Sequence, residues 1–292
     1  MTLEQLRIFI AVADRQHMTQ AAADLNLTQS ATSAAIAALE ARYGTKLFDR
    51  IGRGIVLTRT GRDFLVEARA VVARARDAVQ VLNDLAGLKR GALTLAASQT
   101  VANYWLPPRL QAFRKTHPGI DLQLSIANTE QVAQAVHDGS ADLGFVEGPV
   151  TDPLLTARKI DGDELVVVVG ITHPWAQHKR VTARQLTGTG WVLREPGSGT
   201  RAMFEAALRK LGVRPSSLRV ELELPSNEAV RAAVEAGDCA TAISGLVVAH
   251  SLAAGLLHRV QLDLPRRAFY LLRHKQRHAG QAETALLAAF GV

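Results

Sequence analysis

Residues 18–44 read Met18-Thr19-Gln20-Ala21-Ala22-Ala23-Asp24-Leu25-Asn26-Leu27-Thr28-Gln29-Ser30-Ala31-Thr32-Ser33-Ala34-Ala35-Ile36-Ala37-Ala38-Leu39-Glu40-Ala41-Arg42-Tyr43-Gly44. A short alanine-rich helix, about Thr19 to Leu25, is followed by a tight polar break and a longer helix that opens on small hydrogen-bonding side chains. Ala21, Ala22 and Ala23 keep the first of these slim enough for close helix contact. Thr28 is suited to cap the second, which runs from Gln29 to about Tyr43 with Ile36, Leu39 and Tyr43 inward, and Gly44 ends it. This is the layout of a helix-turn-helix and points to double-stranded DNA.

The flanks extend that reading. Upstream, Leu3, Leu6, Phe9, Ile10 and Ala13 share a helical face and predict a helix packed under the motif. Downstream, Ile51-Gly52-Arg53-Gly54-Ile55-Val56-Leu57 predicts a short hairpin, or wing, with arginine at its tip. Between residues 42 and 62, six basic side chains (Arg42, Lys46, Arg50, Arg53, Arg59 and Arg62) stand against the single acid Asp49. Much of the formal net charge of +7 is therefore concentrated beside the motif, where phosphates would be met. The expected DNA-reading set is Gln29, Ser30, Thr32 and Ser33 from the recognition helix, with Arg50 and Arg53 from the wing. Glutamine pairs with adenine and the hydroxyls reach bases or phosphates. With no strong reader of guanine, specificity leans partly on DNA shape.

From about Thr60 the period changes to heptads. Leu65, Val72, Val79 and Ala86 hold one seam position, and Ala68, Ala75 and Leu82 the other. A helix of about 28 residues is roughly 40 Å long. Pairing with a second chain, through Leu65, Val72, Val79 and Leu82, accounts for it better than an intrachain core does. A hinge is expected at Gly87-Leu88-Lys89-Arg90-Gly91, followed by alternating strands and helices, an α/β pattern. That region repeats itself at an offset of 98 residues. Glu130, Val132, Ala135, Val136 and Gly139 fall on Glu228, Val230, Ala233, Val234 and Gly237, and the strand spacing keeps phase. Two similar lobes follow, with the final strand and helix, about Ala268 to Phe290, returning to the first.

Ligands of open α/β sheets bind at the carboxyl ends of strands, near helix N-termini. The repeat places Ser98, Thr100, Asn128, Thr129 and the strand-end acceptor Glu147 there in the first lobe, and Ser198, Thr200, Arg201 and Asn227 in the second. Facing hydroxyl-rich turns that open helices favour an oxyanion or carboxylate.

Other classes are disfavoured. Gly197-Ser198-Gly199 lacks nucleophile-elbow spacing, and there is no phosphate-binding Gly-rich loop and no His-Glu-x-x-His. Cys239 is the only cysteine, which rules out an internal disulfide or a paired-cysteine metal site. No catalytic residue, metal or cofactor is expected. A solute-binding component would suit the two lobes, but the first 90 or so residues and the missing signal peptide argue for a cytoplasmic regulator without a membrane segment.

The segment Leu39-Glu40-x-x-Tyr43-Gly44-x-x-Leu47-Phe48-x-Arg50-x-x-Arg53-x-x-x-Leu57-Thr58-x-x-Gly61 closely resembles the winged helix-turn-helix of LysR-type transcriptional regulators. Ser30 departs from the proline that many members carry there. The resemblance implies a multidomain chain. A helix-rich winged helix-turn-helix (1–58) and a dimerisation linker helix (59–88) precede a two-lobed α/β effector domain like periplasmic binding proteins (89–292). Lobe one would take about 92–162 and 267–292, and lobe two about 163–266. It also implies a homodimer or homotetramer that binds promoter half-sites, answers to a small co-inducer and meets RNA polymerase.

Overall fold

The computed structural model describes residues 1–51, 54–85, 91–177 and 180–291. The expected wing tip Arg53, its neighbour Gly52, the seam residue Ala86 and hinge residues 87–90 lie outside the described residues. The chain divides into two compact units, one made of the N-terminal elements and the other of nearly all that follows.

In the first unit, α1 (Leu3–Arg15) starts on a capping box in which the Thr2 hydroxyl accepts from the Gln5 amide and the Gln5 side chain accepts in return. Next come α2 (Met18–Asp24) and α3 (Gln29–Tyr43), joined by a turn with Asn26 at φ +56°. Thr28 caps α3 and Gly44, in the left-handed region, ends it. Leu6, Phe9, Val12, Ile36 and Leu39 form the core, closed by Phe48 and Phe64 against the Phe9 ring. The wing pairs β1 (Phe48–Ile51) with β2 (Gly54–Leu57), so its first strand lies upstream of the expected hairpin. Tyr43 is a second correction. It is 55% exposed, beyond the core's reach in the last turn, with the Arg42 guanidinium over its ring.

Three residues of the recognised segment have clear mechanical roles. The buried Glu40 carboxylate accepts from the Leu47 and Phe48 amides at 2.8 and 3.1 Å and from Lys46 at 2.8 Å, tying the wing to α3. Burial raises its pKa. The Lys46 hydrogen bond and the two amides outweigh that and hold it below the ordinary value. Thr58 donates to the Lys46 and Leu47 carbonyls and accepts from the Gly61 amide, capping α4 (Arg59–Leu85). A Cβ at Gly61 would overlap the Leu47 carbonyl oxygen, so only glycine fits.

The seam of α4 is divided. Ala68 is buried and Leu65 and Val72 are half-buried in the core beneath α1, whereas Val79 and Leu82 are exposed at 58% and 66%. The first half of the expected dimer seam is thus partly spent inside its own unit, because α1 offers it an apolar face.

In the second unit, β3 (Gly91–Ser98), β4 (Ile120–Ala127) and β5 (Leu143–Glu147) are parallel, with α5 (Leu106–Thr116) and α6 (Thr129–Asp138) as crossovers. A π-helical turn, Val101–Trp105, leads into α5. The sixteen-residue β6 (Leu155–Gly170) then runs through both lobes. The second lobe repeats the pattern as β7 (Gly190–Arg194), α7 (Gly199–Lys210), β8 (Arg219–Leu224), α8 (Asn227–Ala236) and β9 (Ala240–Ser244). The ten-residue helices α6 and α8 begin 98 positions apart.

After α9 (Gly245–Ala253) and β10 (Leu257–Val260), β11 (Arg266–His274) pairs with β5 and the first half of β6, and α10 (Gln281–Ala289) packs on lobe one. The second half of β6 pairs with β9 and β10. The strand order is β4-β3-β5-β11-β6-β9-β7-β8, so β6 and β11 cross between lobes. Each lobe has a separate apolar core, around Leu95, Phe145 and Phe269 in one and Trp191, Phe204 and Leu208 in the other. Among the described residues no helix is long and apolar enough to cross a membrane.

Candidate functional site

The first unit presents a recess of about 340 Å³ lined by Gln29 and Ser33 of α3, Arg50 of β1, and His17 and Thr19 at the start of α2. Three expected DNA-reading residues therefore share one concavity. Ser30 is exposed and its hydroxyl lies 3.0 Å from that of the cap Thr28. Thr32 is a correction. It is fully buried and donates to the Thr28 carbonyl at 3.1 Å, because its position puts it on the same helical face as Ile36 and Leu39. His17 and Thr19 are additions; a helix start beside the motif was the signal available in the sequence.

In the second unit the carboxyl ends of the parallel strands of both lobes converge, and the residues there are polar and buried. Ser98 ends β3, Glu147 ends β5, Arg194 ends β7 and Ser244 ends β9. Ser98 Oγ donates to Glu147 Oε2, and Thr200 Oγ1, in the first turn of α7, donates to Glu147 Oε1 at 3.3 Å. Ser198 caps α7, accepting from the Arg201 amide. Gly199 leaves no room for a Cβ against Thr129 and the Glu147 carbonyl, which lets α7 start in contact with lobe one.

The lobes also meet at two rims. On one, Asn227 Nδ2 donates to Thr100 Oγ1 at 3.1 Å, its amide donates to Gln99 at 2.9 Å, and Gln99 donates to the Pro225 carbonyl at 2.8 Å. Asn103 and the Tyr104 hydroxyl donate to Glu228. Burial, then the nearby Glu228, pushes the Tyr104 phenol up. On the other rim, Asn128 donates to Glu195 at 3.3 Å and the Glu130 amide to the Gly197 carbonyl at 3.2 Å. Burial raises the Glu195 pKa, but the Arg194 and Asn128 contacts bring it below its ordinary value. The two rims are equivalents under the 98-residue offset.

Of the expected cleft residues, the structure gathers Ser98, Thr100, Asn128, Thr129, Glu147, Ser198, Thr200 and Asn227. Arg201 is a correction. Its guanidinium is held by Glu205 at 3.0 Å, by Glu223 and by the Arg194 carbonyl, away from Glu147. The buried cation beside Glu147 is Arg267 instead. It is fully buried, binds Asp163 through Nε and through Nη2 at 2.7 Å, and donates to Thr200 Oγ1 at 2.9 Å. Ser244 donates to the same Asp163. Arg267 and Asp163 sit on the two crossing strands. Their signal was alternation. Arg267 is in phase with the buried Phe269 and Leu271, and Asp163 with Leu165, Val167 and Val169, so both had to point inward.

Among the described residues no group of three or more His, Cys, Asp or Glu is placed to hold a metal ion. Cys239 is free, and burial followed by Asp238 and Glu221 pushes its thiol up, away from nucleophilic form.

A winged helix-turn-helix joined to a two-lobed α/β unit defines a DNA-binding regulator with an effector-binding domain. Residues 3–62 match the bacterial regulatory helix-turn-helix protein model of the lysR family, and residues 86–291 match the LysR substrate binding domain. The chain belongs to the LysR family of transcriptional regulators. It is 36% identical over 283 residues, 96% of its length and 94% of the relative's, to the uncharacterized HTH-type transcriptional regulator YeiE of Escherichia coli K12. The full-length regulator CbnR, solved with its target DNA, covers 100% of the chain and 99% of its own, at TM-score 0.67 and 21% identity. The regulatory domain of Synechocystis PCC6803 CcmR, solved in complex with 2-PG, covers 69% of this chain and 96% of its own, at TM-score 0.63 and 27% identity.

Proposed function

We propose that this regulator works as a homodimer or homotetramer in the cytoplasm, binds two related promoter half-sites, and responds to a small oxyanion or carboxylate held between the lobes of its effector domain. Gln29, Ser30 and Ser33 would meet base edges and phosphates, with Arg50 and Arg53 on phosphate or minor groove. The seam of α4, now centred on Val79 and Leu82, would join two chains. The observation that carries the effector reading is the meeting of Ser98, Thr200 and Arg267, from both lobes and a crossing strand, on one carboxylate. Donors that bind an internal carboxylate are chemically suited to an external anion. CcmR, with 2-PG in its regulatory domain, supports a small ligand in this kind of unit.

The effector would act by favouring one lobe arrangement and thereby one pairing of chains on DNA, from which RNA polymerase would be contacted. It can shift that equilibrium only by its differential affinity for the two arrangements. The test has two arms. Genomic fragments selected on the protein should be bound with a steep salt dependence, and Arg50→Ala should reduce the log–log slope by about one. Salt-insensitive binding overturns the DNA face. A thermal-shift screen of oxyanions and carboxylates should find a ligand whose stabilisation is lost in the Ser98→Ala, Thr200→Ala double variant; retained stabilisation moves the site elsewhere.

A further inference from the structure

We infer that Glu147 is a built-in competitor for the effector: its carboxylate occupies the oxyanion position of the cleft, and the effector enters by displacing it. The inference rests on the anion reading above and adds how that site is regulated. Glu147 is 2% exposed and receives hydroxyl donors from both lobes, Ser98 on one oxygen and Thr200 on the other. Arg267 Nη1 stands 4.0 Å from Oε1. The other acid near that cation, Asp163, takes the chelating grip of the guanidinium, leaving the hydroxyls for Glu147. A second anion cannot join Glu147 on these donors, because two carboxylate-sized charges in one desolvated site repel strongly. Either the protein's carboxylate leaves or the effector's never arrives.

The structure supplies room for it to leave. Glu147 also lines a pocket of about 450 Å³ beside the cleft, between Ala133 on α6 and Met203 on α7, with Gly148, at φ +83°, following it. Rotation about the side-chain bonds carries the carboxylate towards that space while β5 stays in register with β11. Displacement also changes what joins the lobes. The Glu147–Thr200 contact from β5 to α7 is exchanged for an anion bridging Ser98 and Thr200. The exchange thus couples occupancy to the contacts between the lobes.

Self-occupancy lowers apparent affinity by the fraction of molecules in which the site is free, so removing the competitor raises it. The full-length protein, Glu147→Gln and Glu147→Ala are titrated with inorganic phosphate and with sulfate at constant ionic strength, reading thermal midpoint and heat of binding. Glu147→Ala should bind the anion at least about tenfold tighter than wild type, with Glu147→Gln between them. Adding Ser98→Ala and Thr200→Ala to Glu147→Ala should abolish the gain. Equal or weaker binding in both single variants, or a gain that survives loss of the two hydroxyls, overturns the competitor role. If wild type still binds the anion through Ser98 and Thr200 in those cases, the anion reading stands alone. Binding of neither anion by any of the three proteins overturns both. The neutral, near-isosteric Glu147→Gln keeps the comparison valid if the alanine variant is less stable.

Discussion

The two candidate sites use similar polar residue types under opposite conditions. In the recess of the first unit, Gln29, Thr19, His17 and Arg50 are exposed. In the lobe cleft, Ser98, Thr100, Glu147, Asp163, Ser198, Thr200, Asn227, Ser244 and Arg267 are buried. An exposed polar surface gives up little on folding and stays free to pair with phosphates and base edges. A buried set has to be internally satisfied, since each unpaired polar group costs about 1–3 kcal/mol. The difference teaches that the DNA face is read by listing what is exposed. The cleft is read by following which partner each group already holds, and the carboxylate of Glu147 is the partner with an obvious replacement.

The sharpest way to break the comparison is at Arg267. Replacing it with methionine strands Asp163 in a buried site and should destabilise the second unit by about 3–5 kcal/mol in chemical denaturation. A loss below about 1 kcal/mol would mean that the cleft behaves like a surface. Next in size is Gly61→Ala, which drives a methyl into the Leu47 backbone and should cost about 2–3 kcal/mol in the first unit. Because the reading surface lies outside this joint, DNA affinity extrapolated to fully folded protein should be unchanged.

Glu40→Gln should cost about 1–2 kcal/mol, since a neutral amide accepts the Leu47 and Phe48 amides less strongly than a carboxylate does. The folded pKa of Glu40 is lowered. Its contribution is therefore full above the ordinary glutamate value and lost as pH falls through the folded one. Urea titrations over that acidic range should show a steeper loss in wild type than in the variant, and parallel curves would sink the assignment.

The smallest effect on folding belongs to Val79→Asp with Leu82→Asp. Both sites are exposed, so helix content should hold while mass by light scattering falls from oligomer to monomer. Val72→Asp, half inside the core, should instead lower the unfolding midpoint. An unchanged mass in the first variant removes the α4 seam from the assembly.

Much of this was legible in order along the chain. The alanine-rich helix, the Thr28 cap and the Gly44 stop each follow from local geometry, the Leu57-Thr58-x-x-Gly61 pattern is carried by the family resemblance, and the offset of 98 residues shows the lobes as repeats. Thr32 and Arg201 differ from expectation because position in a motif does not determine exposure or pairing. Thr32 falls on the core stripe of α3, and Arg201 has Glu205 one turn away and Glu223 on the neighbouring strand. Arg267 and Asp163 are hard to see in the sequence because they begin or interrupt apolar strands far from any helix start, and their pairing spans 104 positions.

The sequence by itself determined the winged helix-turn-helix, the family, the repeat and the strand ends where a ligand would sit. The family rests on the resemblance of the Leu39 to Gly61 segment and the repeat on self-similarity along the chain; the helices and strand ends rest on periodicity, caps and glycines, whose physics acts over a few residues. Only the tertiary structure decided which charges occupy the cleft and which half of the α4 seam is free. Those depend on how β6 and β11 cross and on what α1 covers, and burial fixes a charged partner only after distant segments have met.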